Sequence, residues 1–282
     1  MTTLRPRRSV AAVILTKNEE RTIEACIRSC TFADEVIVLD SQSTDGTTAI
    51  AAQCGASVHV RPFDDYASQR NASLALASAS DWAFMIDADE CCTPALADEI
   101  RRTIDSVDDD TVMFRVRRKD MFFGTWIRHA GGYPHWFPRL VRPSRVTVVR
   151  PINEDVVVDG MEGRLTEHLI HEPFSKGIAH WIDRHNRYSS LEALQLMAER
   201  DRATGSSKAL RSGYGEKRRW LKQLFYRLPC RPLIAFVALY VVRMGFLDGV
   251  AGYRYARLRA MYEYMITLKQ AELRASAEGQ RI

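Results

Sequence analysis

The chain has 282 residues, 46% hydrophobic and 27% charged, with a formal net charge of +5. That composition excludes collagen-like, mucin-like and disordered classes, and the length allows one large domain with an appendage or two small ones. The charge is unevenly held: from Thr204 onward there are 15 Lys and Arg against 5 Asp and Glu, a net of +10, which leaves −5 on residues 1–203. No stretch reaches the roughly 18 to 20 uninterrupted apolar residues of a membrane-spanning helix. The N-terminus carries basic residues and a short apolar run, but no small-residue cleavage site follows, so the run reads as a buried strand rather than a leader. The six cysteines form no CxxC pair and no zinc spacing. Cys26 and Cys30, four apart on a helix, read as small buried hydrophobes, and the cysteine usage suits a reducing compartment.

The first hundred residues alternate strand and helix signals. Val10–Leu15 is a continuous apolar run, as a parallel strand covered on both faces requires. Asn18 is expected to cap the next helix, which places Ile23, Cys26, Ile27 and Cys30 on one face. Glu35–Leu39 is a second strand and ends at Asp40. The polar loop Ser41–Gly46 leads into a helix that stops at Gly55, and Ser57–Val60 is the third strand. A helix over about Tyr66–Ala79 precedes strand Trp82–Ile86. Thr93 and Pro94 then read as N-cap and first position of another helix. Such a series predicts an α/β fold with a mostly parallel, doubly wound sheet. Beyond residue 105 the alternation stops, and strands are expected at Thr111–Arg118, Arg139–Val141, Val146–Val149 and Asp155–Val158. A helical stretch follows Gly177, a breaker-rich connection spans 203–216, and the C-terminal region mixes basic and bulky apolar residues at helical spacing.

Asp87-Ala-Asp89 directly follows an apolar strand, and ligands of open α/β sheets bind outside the carboxyl ends of the strands. Two carboxylates there repel unless something neutralises them. A divalent cation between one carboxylate and a substrate diphosphate would do so, and Mg²⁺ or Mn²⁺ prefers oxygen ligands of this kind. A helix cap or a solvated acidic turn is the plainer alternative. Asp40, at the second strand end, can accept a hydrogen bond from a base N–H or a ribose hydroxyl, while Asp45 or Thr47 caps the next helix. Arg70 can face a base or a phosphate. His168-x-x-His171 has no third ligand at a recognisable spacing, so a structural or acceptor-pocket role is favoured over a metal site. His129 and His135, among Trp126, Tyr133, Trp136 and Phe137, form either a sugar-stacking wall or a satellite aromatic core.

Four stretches occur in order: Ala12–Glu20, Phe32–Thr47, Gln69-Arg-Asn71 and Asp81–Glu90. Together they resemble family 2 glycosyltransferases of the GT-A fold, more narrowly the bacterial lipopolysaccharide-core β-glucosyltransferase group. The match is dense over residues 9–100 and thin through Trp126–Pro134, Arg139-Leu140 and Gly245–Gly249. The resemblance implies that Asp40 contacts the base, Arg70 the base or phosphate, Asp87 the ribose, and Asp89 the metal on the donor diphosphate. Thr16, Asn18 and Glu19 would line the nucleotide pocket, and Trp126, Tyr133, His135 and Arg139 the acceptor side. The chemistry implied is inversion by in-line displacement, with a carboxylate base and a Mg²⁺ or Mn²⁺ ion. Where relatives show a His-Glu pair this chain has Asn153-Glu154-Asp155, so the base is expected at Glu154, then Asp155. His135 stands where relatives carry an acid after Tyr-Pro. The QxxRW signature of processive synthases is absent around Arg219-Trp220, which favours addition of a single sugar.

The expectation is therefore an inverting, metal-dependent transferase that moves one sugar from a nucleotide sugar, a UDP-hexose, to a lipopolysaccharide-core or lipid-linked saccharide. The alternatives are another cell-surface polysaccharide or protein acceptor, or a catalytically silent nucleotide-sugar-binding partner. Residues 1–203 are expected to form the catalytic domain, with a nucleotide-sugar half over about 9–105 and an acceptor half over about 106–203. Residues 204–282 form a basic amphipathic helical region that docks on anionic membrane, at the cytoplasmic face of a bacterial inner membrane. Nucleic acid is not an expected partner, since it would leave the apolar run Leu233–Val242 unexplained; core packing is the other reading of that run.

Overall fold

The computed structural model describes residues 7–149, 155–205, 228 and 230–279. Its elements begin with β1 (Val10–Thr16), α1 (Ile23–Ser29), β2 (Glu35–Asp40), α2 (Thr47–Gln53), β3 (Ser57–Val60) and α3 (Tyr66–Leu76). They continue with β4 (Trp82–Asp87), β5 (Glu90–Cys92), α4 (Pro94–Ser106), β6 (Thr111–Phe122) and β7 (Thr125–Trp126). Then follow β8 (His135–Val141), β9 (Val146–Val149), β10 (Asp155–Val158), β11 (Met161–His171) and α5 (Gly177–Gly205). The last helices are α6 (Arg231–Val237), continued by a π-helical turn over Ala238–Val242, and α7 (Gly249–Ala277). The chain folds as two compact units. One holds Met1–Met121 with Tyr133–Lys176; the other holds Phe122–Gly132 with Gly177–Ile282. This grouping differs from a boundary drawn at residue 203 on charge, because α5 packs along α7.

In the first unit the main sheet runs β3-β2-β1-β4-β8-β6-β11-β5. β1 is parallel to β2 and β4, β2 to β3, and β6 to β11, whereas β8 is antiparallel to both neighbours. The central strands are apolar on both faces because both are covered. Val10, Ala12 and Ile14 join Phe84 and Ile86 in one cluster with Ile23, Cys26, Ile27 and Cys30 of α1 and its C-cap, and with Leu96, Ile100 and Ile104 of α4. Ala11, Val13, Ala83 and Met85 face Ala67 and Leu74 of α3 and Val146 and Val148 of β9. Period-2 side-chain alternation sends neighbours to opposite faces, so each strand feeds both clusters. Thr93 caps α4, its hydroxyl accepting from the Leu96 N–H at 3.2 Å, with Pro94 at the first helical position.

One local expectation fails. α1 starts at Ile23 with Thr22 as N-cap, four residues after Asn18. Asn18 instead takes a left-handed φ of 55°, which Asn tolerates better than most residues, and its side chain serves the neighbouring loop.

Candidate active site

Register places the candidate residues side by side. Thr16 pairs across from Asp40, and Leu15 across from Asp87, so the carboxyl ends of β2, β1 and β4 form one edge. Thr16 and Asp40 are buried. The Thr16 Oγ1 is buried with no hydrogen-bond partner. Asp40 accepts from the Ser43 N–H at 2.7 Å and from the Ser43 hydroxyl. Asn18 stitches the two loops above this edge: its N–H donates to Ser43 Oγ at 2.7 Å and its Oδ1 accepts from the Thr44 N–H at 2.7 Å. The N-cap of α2 is Gly46, not Asp45 or Thr47; Asp45, one residue earlier, accepts from the Thr47 N–H at 3.1 Å, while Thr47 Oγ1 accepts from the Glu19 N–H. Glu19 pairs with Lys176 at 2.7 Å, and burial raises its pKa.

The carboxylates after β4 live in different surroundings. Asp87 is clamped by two buried arginines: Arg70 of α3 on Oδ1, and Arg139 of β8 on Oδ2 at 2.8 Å. Burial alone would raise its pKa, but these guanidinium groups hold it well below the usual carboxylate range. Glu90, fully buried, completes the clamp. It accepts from Arg139 at 2.6 Å and from the Asp87 N–H at 3.0 Å, with Arg118 at 3.3 Å. Asp89 lies outside this cluster, facing His171 Nε2 at 3.3 Å. The His171 Nδ1 is 2.7 Å from Asp120, which also accepts from Arg118 Nε at 3.0 Å. Burial would lower the His171 pKa, but the hydrogen bonds to Asp120 and Asp89 raise it to about 9. Strand pairing builds this row, since His171 of β11 is the register partner of both Asp120 and Glu90.

Among the described residues no group of three His, Cys, Asp or Glu is arranged to hold a metal ion unaided. Asp87 has both oxygens committed to arginines, so it is a poor ligand. Asp89 and His171 remain, with the Asp120 carboxylate behind the imidazole in the arrangement that orients metal-binding histidines. Magnesium commonly takes one or two protein ligands and completes its shell with substrate phosphates and water. Asp89 thus suits a divalent cation in company with a diphosphate, and His171, whose pKa of about 9 keeps it protonated beside Asp89, would have to give up its proton to join it.

The acceptor-side candidates are dispersed. Arg139 is buried in the Asp87–Glu90 clamp rather than presented to an acceptor, because two interior carboxylates need its charge. Tyr133 and Trp136 flank Arg117, whose guanidinium lies 5.8 and 5.5 Å from their rings, and the Tyr133–Pro134 peptide is cis. His135 is exposed, at the first position of β8 and across from Arg118. Trp126 belongs to the other unit, with Arg128 5.4 Å from its ring. Glu154 lies outside the described residues; Asp155 opens β10, paired with Val149. Glu90, Asp120 and the placement of His171 were not anticipated. Glu90 had one signal, an acid directly after the Asp-x-Asp run.

A family model described as glycosyl transferase family 2 matches residues 11–166. The chain belongs to that family. It is a glycosyltransferase with the α/β, mostly parallel GT-A type of sheet. An uncharacterised glycosyltransferase of Rickettsia felis is 28% identical over 96% of this chain and 95% of its own. The lipopolysaccharide core biosynthesis glycosyltransferase LpsC of Rhizobium meliloti is 28% identical over 94% of this chain and 92% of its own. Among solved structures, glucosyl-3-phosphoglycerate synthase from Mycobacterium tuberculosis, in complex with Mn²⁺, UDP and glucosyl-3-phosphoglycerate, aligns at 27% identity. That alignment covers 40% of this chain and 44% of the synthase, with a TM-score of 0.34.

Proposed function

We propose that this glycosyltransferase moves a single hexose, with inversion, from a nucleotide diphospho-sugar to a saccharide of the lipopolysaccharide core or to a related lipid-linked glycan. The observation that carries the donor half is the edge formed by Thr16, Asp40 and Asp87, where a buried hydroxyl has no partner. Of the buried polar side-chain atoms without a hydrogen-bond partner among the described residues, the Thr16 hydroxyl is the one at the carboxyl ends of these strands, where a ligand of an open α/β sheet binds. The acceptor class rests on the likeness to LpsC along nearly the whole chain.

In this reading Asp40 receives the nucleobase, and Asp87, about a third exposed and locked in orientation by Arg70 and Arg139, receives a ribose hydroxyl. Asp89 and His171 would hold a divalent cation, which when bound neutralises charge on the departing diphosphate. The acceptor oxygen forms its bond to the anomeric carbon as the bond from that carbon to the diphosphate breaks. The hydroxyl proton passes to a carboxylate, Glu154 or Asp155. No covalent enzyme intermediate is required.

Thermal unfolding against a panel of nucleotide sugars, with and without Mn²⁺, tests the donor half. We expect one nucleotide sugar to raise the melting temperature in the presence of the ion, and the free hexose to leave it unchanged. A panel that moves nothing would contradict the reading. UDP-hexoses are the first members to try.

A further inference from the structure

Between Leu233 and Tyr253 the second unit presents apolar side chains to solvent in unusual density. Leu233, Val241, Val242, Leu247 and Val250 are each more than half exposed, Val242 reaching 73%. Contiguous apolar surface of this kind on a soluble protein marks a contact with something apolar.

Its framework is built rather than loose. The helical stretch Arg231–Val242 meets Gly245–Ala277 at 75°. Met244 takes a left-handed φ of 57° at the corner. The two arms approach so closely that a Cβ on Gly252 would lie 2.0 Å from the Gly245 carbonyl oxygen, and one on Gly245 would lie 2.5 Å from that of Leu239. Only glycine permits either approach. Phe236, Tyr240 and Tyr253 pack ring against ring across the bend, with centroids 5.2 to 5.9 Å apart. The bend therefore holds its apolar tip out in a fixed shape.

Charge identifies what the tip meets. Only two charged residues fall between Leu233 and Tyr253, Arg243 and Asp248. The acid is turned inward: Asp248 is 8% exposed and accepts from the backbone N–H groups of His129 at 2.9 Å and Ala130 at 2.8 Å. What the surface shows is Arg243, with Arg254 and Arg257 on the adjoining turns of α7, all exposed. An apolar tip flanked by the exposed Arg243, Arg254 and Arg257 complements a leaflet whose interior is hydrocarbon and whose headgroups are anionic. A second copy of the chain would bring arginine against arginine.

The depth of entry is also limited. The stretch Arg231–Val242 is about 18 Å long at helical rise. That falls short of the ~30 Å hydrocarbon core. No single helix among the described residues is long and apolar enough to cross a membrane; the two arms have the length and composition only together, and the 75° bend turns the second off the line of the first.

We infer that the bend over residues 233–253 inserts its apolar tip into one leaflet of an anionic phospholipid bilayer, as a re-entrant anchor that does not cross. Attachment is then primarily hydrophobic, with the arginines reaching headgroups, and differs from docking by charge alone. It is read out without donor or acceptor, so it stands apart from the proposed transfer reaction.

The test is flotation of the full-length protein with vesicles of phosphatidylethanolamine and phosphatidylglycerol. It is run at low salt and at about 1 M NaCl, where the Debye length falls to ~3 Å. We expect the wild type to float in both. Val242→Asp with Leu247→Asp should cut the floating fraction at least tenfold in both, with unchanged melting temperature. Should that pair melt early, Val242→Ser with Leu247→Ser carries the same test, with a severalfold loss. Arg243→Gln with Arg254→Gln should weaken flotation at low salt only. A wild type that does not float, one that is released by salt, or variants that float as well as wild type would each overturn the anchor. So would a dimer that Leu247→Asp converts to a monomer without any vesicle binding.

Discussion

The two units carry opposite kinds of mismatch between side chain and surroundings. In the first, charges are drawn inward and matched: Asp87 and Glu90 sit against Arg70, Arg118 and Arg139. In the second, apolar side chains are turned outward and left unmatched around the bend at 233–253. Beside the clamp of the first unit stands the threonine hydroxyl at the edge where three strands end, buried without a hydrogen-bond partner. In the two proposals made above, the hydroxyl takes a polar ligand and the valine tip enters hydrocarbon. The matched clamp has the complementary role of holding Asp87 still.

The sharpest way to break that contrast is to unbalance the clamp. Arg139→Leu leaves Asp87 and Glu90 without the cation between them, and removing one member of a buried ion pair typically costs about 3–5 kcal/mol. Urea unfolding should register that loss; a variant as stable as wild type would show that the carboxylates are not held by Arg139. Donor binding should weaken with it, because Asp87 would lose its orientation.

The helical unit has a titratable interior group of its own. His185 stacks on Trp181 with centroids 3.6 Å apart and donates from Nδ1 to the Trp181 carbonyl at 2.9 Å. Burial lowers its pKa to about 4. The folded unit therefore favours the neutral ring, while the unfolded chain takes up its proton near pH 6.5. Stability is complete above that value and declines as pH falls from about 6.5 toward 4. We expect the melting temperature to drop by on the order of 2–4 °C across that window. His185→Phe should flatten the decline, and an equally steep profile in that variant would place the titration elsewhere.

The smallest effect has the most telling sign. Thr16→Val removes a buried hydroxyl that has no partner, so the free protein should be unchanged or slightly more stable, by at most about 1 kcal/mol. Affinity for the donor should fall several-fold by calorimetry. A variant that loses stability and keeps its affinity would mean that the hydroxyl serves the fold and not the ligand.

Legibility in the sequence followed the range of the interactions. Strands β1, β3 and β9, the α4 cap and the Asp-x-Asp turn are local patterns, and the structure reproduces them nearly residue for residue. The Asp89–His171–Asp120 row was not legible, because it is made by β11 returning beside β6 and β5 across fifty to eighty residues. The strand that does this, Met161–His171, mixes charged and apolar residues without a continuous run. Arg139 was misjudged for a related reason: that an arginine faces inward depends on Glu90, an acid from a distant strand. Asn18 looked like a helix cap because its type suits one, but the left-handed turn it also suits was the one used.

Nucleotide release reports on the proposed transfer from a nucleotide sugar at the Thr16–Asp40–Asp87 edge, with Asp89 beside the diphosphate. Full-length protein is supplied with a nucleotide-sugar donor, Mn²⁺ and a lipopolysaccharide-core saccharide extract, and compared with Asp89→Ala. We predict release that depends on the extract and matches sugar gained by it. In the variant we predict a fall of at least about 100-fold, measured at a temperature where its melting curve shows it still folded, since Asp89 also pairs with His171. Equal release by the two proteins would rule out a role for Asp89 in the transfer.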